Sequence, residues 1–236
     1  MKFRLIPATV LSGVALLSSS VLADDHIDYT YIEGAYVIQD VDIYQDSDTL
    51  SEFLDETQDG DGFEIKGSVG LGPNWFAYTG YSQTQLDFDI TTNEGGYLPA
   101  EVDVKTFHLG AGYIVPINPN LNMQFSAAYV DQDLSEFSLG ATDQDVFDDD
   151  TDFEDAVDDL NEDSSDGYWL DAGVRGQVNH WLELGGGLRY TELDSGDSFT
   201  VFGNALWEIT PNFGLNLALD IGDDVNEYSL GARATF

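Results

Sequence analysis

Three histidines, His26, His108 and His180, are the only imidazoles in the chain, and cysteine is absent. The lack of cysteine removes thiolate nucleophiles, thiolate metal sites and disulfide staples together. A histidine working as a base needs an oriented acid beside it. His26 precedes the first strand-like stretch and His180 sits in an Asn-His turn. Only His108 falls on the polar row of an alternating segment, and it reads as a satisfied interior group. No catalytic residue and no cofactor are assigned. The run Asp55-Glu-Thr-Gln-Asp59-Gly60-Asp61 has the look of a calcium loop. Its twelfth position is Lys66, where such a loop needs Glu, so the motif fails. Looser cation sites built on Asp55, Asp59 and Asp61, or on Asp148, Asp149 and Asp150, stay open, because hard cations take carboxylate oxygens. The competing reading is a solvated acidic face.

The basic residues are more informative. Lys66, Arg175, Arg189 and Arg233 all occupy polar-row positions of alternating segments, while Lys105 does not. The same rows carry Glu33, Glu64, Asp171, Glu183, Glu208, Asp220 and Glu227. Charges of both signs in one register predict an ion-paired network inside an enclosed space. Two readings follow: a plug that fills a narrow barrel, or a small pore whose arginines face acids.

Those rows have meaning only through the strands that hold them. The stretch Tyr228-Ser-Leu-Gly-Ala-Arg-Ala-Thr-Phe236 alternates apolar Tyr228, Leu230, Ala232, Ala234 and Phe236 with Ser229, Gly231, Arg233 and Thr235, a strand with one greasy face. The same pattern recurs. Tyr29 to Val41 carries Ile32, Gly34, Tyr36 and Ile38 on one face, and Gly62 to Gly72 carries Phe63, Ile65, Gly67, Val69 and Leu71. From Trp75 to about Phe88, the outward row is expected to be Phe76, Tyr78, Leu86 and Phe88, with Thr79, Tyr81, Gln83 and Gln85 inward. Further segments end near Val115, Asp133, Val178, Leu193, Ile209 and Gly222. Ten strands result. Short Asn-bearing turns, mostly beside Pro, alternate with loops that are long and acidic in the first half of the chain, about 40–61, 89–101 and 134–166. Leu50, Phe53 and Leu54, and again Phe153, Ala156, Val157 and Leu160, have helical spacing within those loops; for the second set disorder is the equal alternative.

The fold expected is all-β: a ten-stranded antiparallel up-and-down transmembrane β-barrel, residues 24–236, preceded by a cleaved signal peptide, residues 1–23. The signal rests on Lys2 and Arg4, the apolar stretch from Leu5 to Leu17, and the small-residue site Val21-Leu-Ala23. The alternation, an interior row of Gly, Ser, Thr, Gln and paired charges, and aromatics gathered at the strand ends argue for lipid outside rather than a greasy ligand inside. Trp75, Trp181, Trp207, Phe213 and Phe236 form the expected girdle at the periplasmic side. The formal charge of −38, becoming −40 once Lys2 and Arg4 leave with the signal, excludes nucleic acid as a partner. The expected location is the bacterial outer membrane. The expected partners are its lipid and lipopolysaccharide, the assembly machinery that reads the C-terminal strand, and divalent cations.

The terminal Phe, the signal and the hairpin meander resemble the small outer-membrane β-barrel superfamily that includes OmpX and the barrel of OmpA. The segments Tyr31-Ile-Glu-Gly-Ala-Tyr-Val37, Asp61-Gly-Phe-Glu-Ile-Lys-Gly-Ser68, Gly110-Ala-Gly-Tyr113, Gly167-Tyr-Trp-Leu-Asp-Ala-Gly-Val-Arg-Gly176 and Pro211-Asn-Phe-Gly214 look like the diffusible-signal-regulated outer-membrane proteins of the xanthomonad type. The acidic insert around 143–166 departs from that pattern. The resemblance implies fold, location and loose links to biofilm, motility and vesicle release, without an enzymatic activity. The functional expectation is therefore a structural or surface-interaction role through acidic extracellular loops; the alternative is a narrow passive channel for small solutes or cations.

Overall fold

The computed structural model describes residues 27–42, 57–91, 97–139, 164–194, 196–223 and 225–236. Ten strands follow one another: β1 (Tyr31–Asp42), β2 (Thr57–Gly70), β3 (Trp75–Thr91), β4 (Tyr97–Asn118), β5 (Leu121–Leu139), β6 (Ser164–Asn179), β7 (Leu182–Leu193), β8 (Gly196–Thr210), β9 (Phe213–Gly222) and β10 (Val225–Thr235). Every pairing is antiparallel and between sequence neighbours, except that β10 closes on β1, with Tyr31 opposite Thr235 and Glu33 opposite Arg233. Closure leaves no strand edge around the ring, and in lipid an unpaired edge is what a sheet cannot tolerate.

The turns at one end are tight. Between β2 and β3 the chain reverses over Leu71–Asn74, closed by Leu71 N donating to Trp75 O at 2.7 Å. Gly72 there has φ +82°, a left-handed conformation that side chains resist. At the other end β3, β4 and β5 run 17, 22 and 19 residues, against 10 in β9. Much of the stretch expected to be a loop over 89–101 is strand, because Asp89, Ile90 and Thr91 pair with Pro99, Leu98 and Tyr97. Strand also reaches into the edges of the other two expected loops, to Asp42, from Thr57, to Leu139 and from Ser164. The signal segment, His26, both sets with helical spacing, and Asp55, Asp148, Asp149 and Asp150 lie outside the described residues.

One row is inverted relative to expectation. On β3, Phe76 is buried inside the barrel, with Tyr78 and Thr84 on the same inward row, while Trp75 and Tyr81 are exposed outside. Cross-strand sterics are the reason. Phe76 sits opposite Gly112, Tyr78 opposite Gly110, and Gly80 opposite His108. A Cβ on any of those three glycines would collide with the ring facing it. Bulky and tiny residues thus alternate along the inner wall, and the glycines of β4 make the room that the rings of β3 fill.

Candidate functional site in the barrel lumen

The interior is organised in three linked clusters. At the seam, Glu33 of β1 is only 1% exposed. One oxygen accepts from Arg233 Nε of β10 at 2.7 Å, and the other accepts from Asn216 Nδ2 of β9 at 2.9 Å. Lys66 of β2 adds its ammonium at 3.7 Å from Glu33 and 2.7 Å from Glu64, two residues along on its own strand. Asn204 passes its amide to Asn216 at 3.3 Å. A carboxylate this deep is tolerable because each oxygen accepts a hydrogen bond and two cations face it.

The second cluster lies across β3, β5, β6, β7 and β9. Arg189 Nε donates to Asp171 at 2.8 Å, and its Nη1 to Asp220 at 3.3 Å. Its guanidinium stands 4.1 Å from the centroid of Trp169. Trp169 Nε1 donates to the Tyr78 hydroxyl at 2.9 Å, Tyr78 to Ser126 at 3.3 Å, and Ser126 to Asp171 at 3.0 Å. His108 packs on this relay, its ring centroid 4.5 Å from that of Trp169. Among the described residues no carboxylate is hydrogen-bonded to its imidazole, so the geometry lacks the acid partner a base requires.

The third cluster closes the short-turn mouth. Arg175 forks onto Glu183 through Nε and Nη2, a two-point pair that a lysine could not make. Its guanidinium lies 4.7 Å from the ring of Tyr29, just ahead of β1. Tyr29 stacks on Phe76 at 5.1 Å and shares an apolar cluster with Ile114, packed by Ile27 and Tyr78. Tyr29, Tyr31, Trp169 and Asn204 escaped the sequence reading. An aromatic on an alternating strand is scored outward by its apolarity, whereas here the rings form cation–π seats for Arg175, Arg189 and Arg233.

Every charge expected in the lumen lies on an inward row. Glu227 takes a hydrogen bond from Gln39 Nε2 at 2.8 Å, and Glu208 is half-buried near the short-turn mouth. Among the described residues neither is in an ion pair. Asp59 and Asp61 are exposed on the outer row of β2, where Asp61 accepts from Tyr36 at 2.9 Å. No group of three potential metal ligands forms among the described residues.

The exterior inverts the water-soluble pattern. Leu217 and Leu230 stand 57% and 59% exposed while charged groups fill the inside. Trp75, Trp181, Trp207, Phe213 and Phe236 are all exposed at the short-turn end; Trp75 packs edge-on against Tyr113 at 4.9 Å, and Trp181 meets Trp207 at 5.5 Å. Towards the other end, outward tyrosines donate to acids: Tyr129 to Asp131, and both Tyr168 and Tyr190 to Glu192. Rings towards lipid and hydroxyls on charged, wet groups mark a membrane–water boundary. A closed antiparallel barrel with this outside and this inside is the architecture of the bacterial outer membrane. The chain spans that membrane.

No family model and no curated protein sequence matches the chain. Solved structures of similar shape include the outer membrane protein OprG from Pseudomonas aeruginosa, 11% identical over 90% of this chain and 98% of that one, with a TM-score of 0.48. The KdgM porin in complex with disordered oligogalacturonate is 8% identical over 87% and 99%, with a TM-score of 0.45. Ail, the attachment invasion locus protein of Yersinia pestis, is 12% identical over 89% and 98%, with a TM-score of 0.38.

Proposed function

We propose that this barrel is a structural and surface-interaction protein, serving membrane integrity, adhesion or biofilm through its acidic extracellular loops. The observation that carries the reading is the narrowed lumen: ion pairs at three levels and an aromatic-capped mouth leave the outer surface as the working part. No chemical step is involved. The short-turn end faces the periplasm in this reading, so the long connections face outward. The acidic loops then stand beside an anionic lipid leaflet, and divalent cations bridge carboxylates to lipopolysaccharide phosphate. The tract 143–166, more than half Asp and Glu, supplies half of that charge.

The test is a whole-cell adhesion and biofilm assay on a variant whose residues 140–163 are replaced by a short Gly-Ser linker. Adhesion is expected to fall while the barrel still reaches the outer membrane. Unchanged adhesion at normal surface levels contradicts the proposal. The second reading, a narrow passive channel, is favoured by one observation: a lumen cavity of about 280 Å³.

A further inference from the structure

That cavity is elongated. Its wall includes Gln39 and Glu227 near the long-loop ends of β1 and β10, and Tyr31 and Arg233 near the opposite ends of the same strands. From Gln39 to Tyr31 is eight residues of strand, about 26 Å of chain at ~3.3 Å per residue. Barrel tilt shortens this to about 20 Å along the axis. Water-sized space therefore runs through much of the membrane thickness. On the short-turn side it ends against the layer of Tyr29, Phe76 and Arg175, and Tyr29 is the member of that layer that no strand holds.

Tyr29 is not part of the sheet. The chain enters along Ile27 and Asp28, and Asp28 Oδ1 accepts from Thr30 N at 2.9 Å, a local turn that directs the next ring inward. Thr30 then anchors the entry point. Its hydroxyl accepts from Gly70 N at 3.1 Å, and its carbonyl accepts from Phe236 N at 3.0 Å. Tyr29 is held inside by side chains alone: the Phe76 ring, the Arg175 guanidinium and a 3.5 Å contact from Asn122 Nδ2 to its hydroxyl. A ring seated by side-chain contacts on a segment outside the ladder can leave without breaking a strand pair.

We infer that Tyr29 is a stopper for a cation-preferring water path through this barrel, and that displacing its ring opens the path. The preference follows from the charges along the wall. Lys66, Arg175, Arg189 and Arg233 are each engaged by at least one carboxylate, while among the described residues Glu227 and Glu208 are in no ion pair, so the carboxylates of the wall outnumber its cations. An enclosed low-dielectric passage with surplus negative charge concentrates cations and repels anions. The inference rests on the channel reading and its cavity; conductance tests it and the adhesion assay tests the loops, so the two fail separately.

The experiment is single-channel recording of refolded full-length barrel in planar bilayers under a KCl gradient, with gel mobility of the unheated protein as an independent check of folding. Wild type is expected to be silent, and Tyr29→Phe, which keeps the ring, equally silent. Tyr29→Ala, and separately Phe76→Ala on the facing wall, should give discrete steps with a reversal potential of cation-selective sign. Folded Ala variants as silent as wild type would overturn the inference, as would wild type conducting as well as Tyr29→Ala. Steps of anion-selective sign would overturn the assigned preference.

Discussion

Glu33 meets Arg233, Asn216 and Lys66 in the lumen, and its energetics are asymmetric. With Arg233, Lys66 and Asn216 in place, it settles two cations that would otherwise sit in a protein interior within lipid. Replacing it with Gln keeps a similar shape and can keep a hydrogen bond to Asn216, but it strands the Arg233 guanidinium. Removing one partner of a buried pair typically costs about 3–5 kcal/mol. Glu33→Gln should therefore lower the urea unfolding free energy in lipid vesicles by about that amount, with Glu227→Gln as a near-neutral comparison. A loss below about 1 kcal/mol would mean that the pair is hydrated and of surface strength. The charged members of this cluster are visible in the alternation, because Lys66 and Arg233 share their rows with acids. Asn204 and Tyr29 are not, since a neutral amide or a ring carries no mark of the face it chooses.

Among the elements, β3 teaches the most. Apolarity sorts the rows well wherever only one of them is greasy, as in β9 with Leu215, Leu217, Leu219 and Ile221 outside. It fails where both rows carry rings. The missing information lay on the neighbouring strand: Gly110 and Gly112 on the inner row of β4 leave a hollow that only large partners fill, and Phe76 and Tyr78 are those partners. Fold, strand number and turn phase are local patterns and can be read from one segment at a time. Parity in β3 is a pairing property and needs two. Because the chain has no cysteine, introduced labels are unambiguous. Nitroxides at Thr79 and Tyr81 should be accessible to lipid-dissolved oxygen, and those at Ser82 and Thr84 should be shielded. The reverse pattern would restore the opposite face assignment.

For the whole molecule, closure is the decisive event. Ten strands paired only with sequence neighbours can zip locally, but the ring is completed by β1 meeting β10. Phe236 takes part directly, donating its backbone N–H to Thr30 O while its ring lies exposed beside the other aromatics of that end. Phe236→Ala should reduce the amount of barrel inserted in the outer membrane more than the amount secreted to the periplasm, as read by fractionation. Normal outer-membrane levels of the variant would argue against a role for this ring in insertion.

The seam also separates the two halves of its own clasp by 200 positions. Glu33 is synthesised 200 positions before Arg233. A chain interrupted anywhere before β10 carries Glu33 without its principal counter-charge and with an open strand beside it. Such a fragment cannot imitate the finished product, whatever fraction of its hairpins has formed. The ion pair thereby couples the arrival of β10 to the stability of the interior.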